Sequence, residues 1–110
     1  MFARNISIHL KPNSSVAFTK LIEDETIPTL RKQEGFQGEL TLVAPGGAEA
    51  VGISLWDNKE NAEAYNRDAY PGVVKALGNV VDGTPQVRTY EVCNSTFHNV
   101  AAKVAVAAHN

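Results

Sequence analysis

Val51-Gly52-Ile53-Ser54-Leu55-Trp56 alternates with period two, and Asp57-Asn58-Lys59-Glu60-Asn61-Ala62-Glu63-Ala64-Tyr65 follows it with the composition of a helix. The first run reads as a strand, with Val51, Ile53 and Leu55 on one side and Gly52, Ser54 and the chain's only tryptophan, Trp56, on the other. Asp57 or Asn58 can start the helix by accepting a hydrogen bond from its first free backbone N–H groups. Such a strand–turn–helix unit places an aromatic side chain at the edge of a core, where small folds open pockets. The rest of the chain reads as two copies of such strand–helix units.

Upstream, Pro45-Gly46-Gly47 is a turn, so residues 36–44 should form a strand paired as an antiparallel hairpin with residues 49–56. In that strand Phe36, Gly38, Leu40 and Leu42 oppose Gln37, Glu39, Thr41 and Val43. Before it, a helix is expected over about 15–33, capped by Ser14 or Ser15 and ended by Gly35. Phe18, Leu21, Ile22, Ile27 and Leu30 form its apolar stripe. Pro28 interrupts that stripe, removes a backbone donor and predicts a kink near residues 24–28. The first nine-residue run, 2–10, has Phe2, Arg4, Ile6, Ile8 and Leu10 on one face and Ala3, Asn5, Ser7 and His9 on the other. Downstream, Tyr70-Pro71-Gly72 breaks the second helix, Asp82-Gly83-Thr84-Pro85 reads as a loop, and residues 86–94 read as a fourth strand.

The order βαββαβ predicts an α+β, ferredoxin-like sandwich: a four-stranded antiparallel sheet with both helices on one face. The domain is expected over residues 1–94. Residues 95–110 form a C-terminal extension in which Phe97, Val100, Ala101, Val104 and Ala108 fall on one helical face. The sheet face left bare by the helices is expected to carry Asn5, Ser7 and His9 from the first strand and Gly52, Ser54 and Trp56 from the third. Two such sheets could close on each other around a partly polar cavity.

Composition narrows the function classes. The 110 residues suffice for one domain, and a net charge of -2 offers no basic face, so nucleic acid is an unexpected partner. No window approaches the run of ~18 apolar residues that a membrane span needs, and the polar, alternating N-terminal stretch lacks a signal-type apolar block. A cytoplasmic protein is expected, in keeping with the single cysteine, Cys93, read as a small core residue of the fourth strand. His9, His98 and His109 have no ligand spacing, so no metal is expected. No Gly-x-Gly-x-x-Gly or nucleophile signature exists, so no cofactor is expected either.

Several stretches carry a resemblance to a known family: Leu10-Lys11-Pro12, Leu30-Arg31-Lys32-Gln33-Glu34-Gly35-Phe36, Ser54-Leu55-Trp56-Asp57 with Ala62-Glu63-Ala64-Tyr65, and Pro85-Gln86-Val87-Arg88-Thr89-Tyr90-Glu91-Val92. In these the chain resembles the dimeric α/β-barrel proteins related to antibiotic-biosynthesis monooxygenases. The resemblance implies a homodimer whose two sheets form a barrel, with a pocket in each protomer between sheet and helices. It further implies oxidation of a small phenolic or quinol-like aromatic by molecular oxygen without metal or flavin. A haem-cleaving branch would place an asparagine at Asn5, a tryptophan at Tyr65 and a ligating histidine at Lys75; the last two are missing here, which disfavours haem chemistry.

Within that reading His9 is the expected base, since an imidazole titrating near ~6.5 can take a phenolic proton. Asn5 is expected beside it as a catalytic residue and Ser7 as a substrate contact, both orienting by hydrogen bonds. Trp56, Tyr65 and Tyr70 are the expected aromatic walls. Glu39, Glu91 and Arg88 are further polar candidates on the strands. The alternative is a non-catalytic dimer that binds a small apolar ligand or serves as an interaction module.

Overall fold

The computed structural model describes residues 1–97. Its elements are β1 (Phe2–Leu10), α1 (Ser15–Leu21), a π-helical turn (Ile22–Thr26), α2 (Ile27–Arg31), β2 (Phe36–Val43), β3 (Glu49–Trp56), α3 (Lys59–Asp68), α4 (Tyr70–Ala76) and β4 (Val81–Glu91). The strands form one antiparallel sheet in the order β2-β3-β1-β4, and the helices cover one of its faces. This is the expected ferredoxin-like α+β sandwich.

The break around Pro28 takes the form of a wide turn. The Ile27 N–H bonds to the Ile22 carbonyl, five residues back, in place of the usual four. A regular helix would press the Pro28 ring against the carbonyl of Asp24, and the wider turn relieves that contact. The second helix breaks at Ala69, with Pro71 in the first turn of α4, where its missing N–H costs nothing. Asn58 is the cap of α3, its side chain accepting from the Asn61 N–H at 2.9 Å. Ser14 occupies the cap position of α1 without a side-chain cap; its hydroxyl donates to the Pro12 carbonyl.

Gly35 joins the two halves. Its φ of +79° favours glycine, and its carbonyl accepts from the Asp57 N–H at 2.9 Å. A Cβ there would collide with the side chains of Asp57 and Asn61, so the end of α2 meets the β3–α3 junction only through a bare backbone.

The register decides which side chains face the helices. Phe2 pairs with Trp56, Arg4 with Ser54, Ile6 with Gly52 and Ile8 with Ala50. Partners across a ladder share a face, so Trp56, Ser54 and Gly52 lie under the helices with the apolar side of β1. The expectation that they share the bare face with Asn5, Ser7 and His9 is corrected. The bare face instead carries Val51, Ile53 and Leu55 beside those three residues, with Leu40 and Leu42 from β2 and Tyr90 from β4.

Two irregularities shift the faces further. An extra residue at Gln37 separates the Phe36–Trp56 pair from the Gly38–Leu55 pair, so Phe36 packs under the helices while Leu40 and Leu42 point away. Along β4, Gln86 pairs with Ser7 and Asp82 with His9, so Gly83, Thr84 and Pro85 bulge out opposite Ile8. The stretch expected as a loop is therefore a bulge inside an edge strand, where a proline leaves no neighbour short of a donor. Cys93 lies beyond the end of β4 and is exposed, correcting its expected place in the core. The expected helix of the C-terminal extension, with His98 and His109, falls outside the described residues; Phe97 at its start is exposed.

Among the described residues no helix is long and apolar enough to cross a membrane, and no group of three or more His, Cys, Asp or Glu side chains could hold a metal ion.

Candidate active site

Phe18 and Ile22 from the first helical layer, and Tyr65, Val73 and Leu77 from the second, close over the middle of the sheet. Between them and the strands lies a narrow cavity of about 40 Å³, walled mainly by apolar side chains. A volume of that size admits a few waters at most, each needing ~10–15 Å³. An organic ring can enter only if the helices part. The π turn contributes Ile22 and Thr26 to the wall and α4 contributes Tyr70 and Val73, so both helix breaks border the cavity. Local opening concentrates where backbone hydrogen bonding is irregular.

The sheet supplies the polar groups. Glu39, Thr41 and Ser54 line the cavity floor, brought side by side because β2 and β3 pair Glu39 with Ser54 and Thr41 with Gly52. Glu39 is half-buried; burial pushes its carboxyl above the usual range, partly offset by the hydrogen bond that the Thr41 hydroxyl donates to it. A carboxyl so placed holds a proton more tightly than a free one does.

An aromatic row runs along one side. Phe36 meets Trp56 edge-on at 5.7 Å between ring centres, Trp56 lies 5.0 Å from Tyr65, and Tyr65 lies 6.1 Å from Tyr70. The indole N–H of Trp56 donates to the Ser54 hydroxyl at 3.0 Å, so the one polar atom of a fully buried ring is satisfied. Burial pushes the Tyr65 phenol up to about 12, with the neighbouring Arg4 cation pulling the other way.

Arg4 is the residue whose place the sequence reading passed over. It is 1% exposed, with its guanidinium carbon 4.9 Å from the centre of the Tyr65 ring and 4.5 Å from that of Tyr70. Its Nη2 donates to Asn66 Oδ1 at 2.7 Å, while Nη1 is buried with no partner. Burying such an ion costs several kcal/mol. Two desolvated cation–π contacts at roughly 2 kcal/mol each offset part of that, and one charged hydrogen bond adds about 1.5–3 kcal/mol. Burial also lowers the guanidinium's proton affinity. The signal was present in the sequence: one arginine amid Phe2, Ile6, Ile8 and Leu10 on the apolar face of β1.

The structure brings together Trp56, Tyr65 and Tyr70, and separates them from His9, Asn5 and Ser7 by the thickness of the sheet. His9 is exposed, its Nδ1 3.8 Å from Glu49 Oε1. Ser7 is exposed, and Asn5 Oδ1 is buried without a hydrogen-bond partner. Parity is the reason: residues 5, 7 and 9 of a strand whose even positions face the helices cannot reach a cavity beneath those helices. Arg88 pairs with Asn5 on the same bare face, whereas Glu91 sits opposite Phe2 at the end of the ladder. Lys75 is exposed on α4.

No family model matches the sequence, and no curated protein matches it. Solved structures do. A monooxygenase from the gene ActVA-Orf6 of Streptomyces coelicolor, in complex with the ligand nanaomycin D, superposes with a TM-score of 0.73 at 13% identity, covering 86% of this chain and 88% of that one. SnoaB, a cofactor-independent oxygenase from Streptomyces nogalater, gives 0.69 at 12% identity, covering 86% and 95%. A protein of unknown function from Nitrosomonas europaea gives 0.72 at 11% identity, covering 86% and 91%. At these identities the likeness is one of architecture, and the chain has the ferredoxin-like fold found in structures of antibiotic-biosynthesis monooxygenases.

Proposed function

We propose that the protein is a cofactor-independent monooxygenase acting on a small phenolic or quinol-like aromatic, with the cavity between sheet and helices as its active site. The observation that carries this reading is Glu39, a half-buried carboxyl of raised proton affinity on the floor of an apolar cavity flanked by Tyr65 and Tyr70. Glu39 takes the role of base that the sequence suggested for His9. Its carboxylate accepts the phenolic proton, and the electron-rich phenolate transfers an electron to molecular oxygen. Recombination at the para carbon forms one C–O bond, and loss of the para hydrogen with the second oxygen as water leaves a quinone. Phenol and oxygen thus give quinone and water, with no external reductant. Tyr65 and Tyr70 hold the ring, Trp56 backs Tyr65, and exclusion of water protects the reduced oxygen.

The test is oxygen uptake by the chelator-treated protein against a panel of hydroxylated mono- and polycyclic aromatics. Uptake above the uncatalysed rate, undiminished by chelation and matched by quinone formation, is expected. No uptake across the panel would favour a non-catalytic dimer that binds a small apolar ligand or serves as an interaction module.

The bare sheet face supports a homodimer. Leu40 and Leu42 are 53% and 51% exposed, and Tyr90 47%, beside Val51, Ile53 and Leu55. An exposed apolar patch of this kind on β2 and β3 marks an interaction surface. Replacing Leu40 and Leu42 together by Glu is expected to convert a sedimenting dimer to a monomer; an unchanged sedimentation coefficient would sink this assignment. A reducing, cytoplasmic setting suits the exposed thiol of Cys93.

A further inference from the structure

The closed cavity has a neighbour. Between the π turn and α4 lies an outer groove of about 300 Å³, lined by Thr26 and Thr29 on one side and by Ala69, Gly72, Val73 and Ala76 on the other. Thr26 and Val73 line the cavity as well, so the wall between the two hollows is one side chain thick there. A groove outside β2 meets the cavity only through Glu39. Glu25 stands exposed at the rim of the first groove, where its carboxylate repels anions, so what passes is neutral.

The seam between the helical layers is held by packing alone. Among the described residues no hydrogen bond or ion pair joins residues 15–31 to residues 59–76. The chain is irregular on both sides of it, in the π turn and at the break at Ala69. Thr26 adds a polar group. Thr19 and Thr29 return their hydroxyls to the carbonyls of Ser15 and Glu25, four residues back, at 2.9 Å each. For Thr26 that carbonyl belongs to Ile22 and is taken by the Ile27 N–H. The Thr26 hydroxyl is left without a hydrogen-bond partner among the described residues, although the residue is only 7% exposed. Buried hydroxyls are ordinarily paired.

We propose that a neutral phenol reaches the cavity through this seam, and that the free Thr26 hydroxyl holds its oxygen at the cavity wall. Gly72 is the specificity-determining position: it brings no side chain to the doorway, and a Cβ there would meet nothing within 4 Å. The entrance rests on the reading of the cavity as a ligand site and does not depend on oxygen chemistry.

The probes are para-fluorophenol and para-fluorotoluene, the second lacking the hydroxyl, titrated into the full chain and followed by fluorine NMR, which yields affinities and exchange rates together. Both are expected to bind the wild type. Gly72→Phe and Ala76→Phe fill the groove without replacing any residue of the cavity lining. Each is expected to slow association and dissociation of both probes about tenfold or more and to leave affinities within about twofold, because one blocked door slows entry and exit alike. Gln37→Phe, in the groove outside β2, is expected to change neither rate. Thr26→Val keeps the shape of the wall and is expected to weaken para-fluorophenol about threefold or more, with para-fluorotoluene unaffected. Rates unaltered by both groove variants, rates slowed instead by Gln37→Phe, or equal affinity changes for the two probes in Thr26→Val would each overturn the entrance and leave the cavity reading intact. Failure of both probes to bind would overturn the cavity as a ligand site and the entrance with it. Slowed rates without oxygen uptake on any substrate would support the entrance and remove the oxygenase reading.

Discussion

Trp56→Ala is expected to destabilise the fold by about 3–5 kcal/mol, the range for removing a fully buried large aromatic. The indole is 0% exposed and fills the space between Phe36 and Tyr65, each of which loses a ring contact when it goes. Ser54, itself buried, loses the hydrogen bond that the indole N–H donates to it and is left facing a void. Because domains of this size are stable by only ~5–15 kcal/mol, the variant should stand near the edge of folding. Urea unfolding followed by far-ultraviolet circular dichroism measures the effect without relying on the fluorescence of the tryptophan removed. A loss under about 1 kcal/mol would mean that the aromatic row is not the structural spine described above.

Glu39→Gln is expected to do two opposite things. Oxygen uptake should fall by roughly 10²- to 10⁴-fold, the usual contribution of a positioned general base. Stability at neutral pH should rise, because the amide keeps the Thr41 contact without a charge to desolvate. The sign follows from the direction of the shift. Burial raises the folded-state pKa of Glu39 above its unfolded value, so the folded protein retains this proton to higher pH than the unfolded chain. The wild type therefore has its full stability from this site below the unfolded pKa and loses it as pH rises through the folded pKa. Glutamine has no such dependence. The stabilisation by Glu39→Gln should thus be absent at low pH and largest near neutrality, which paired unfolding curves at acidic and neutral pH would measure. A variant less stable than wild type at neutral pH would show that the carboxylate makes net favourable contacts, and the assignment of Glu39 as a desolvated base would fall.

The fold was legible because period two marks strands regardless of context, and because Pro45-Gly46-Gly47 leaves a hairpin little alternative. The site was legible only in part. Alternation separates the two sides of β3 but does not say which side the helices cover, and Val51, Ile53 and Leu55 look the better core face than Gly52, Ser54 and Trp56. Only the pairing of Phe2 with Trp56, a contact between distant parts of the chain, settles the matter. That one step moves Trp56 from the bare face to the core and leaves His9 on the wrong side of the sheet. The extra residue at Gln37 is similar in kind: a bulge leaves no signature in an alternating run, yet it lets Phe36 and Glu39 face the same layer. Arg4 was readable as an anomaly, and its orphaned Nη1 only in three dimensions.

The wide turn at Ile22–Thr26 has a consequence for angular phase. Phe18 and Leu30 are twelve residues apart, and at about 100° per residue an unbroken α-helix would set them roughly 120° apart around its axis. One would then face the sheet and the other would turn aside. A π turn takes up about one additional residue, which returns roughly 100° of that rotation. Both side chains consequently reach the same core, at 0% and 2% exposure. Deleting a single residue within this turn would leave the two side chains about 20° apart on a regular α-helix, so the phase would survive, but the Pro28 ring would again press on the carbonyl four residues before it. The residue is surplus to an α-helix, and the wide turn that absorbs it keeps the two ends in step.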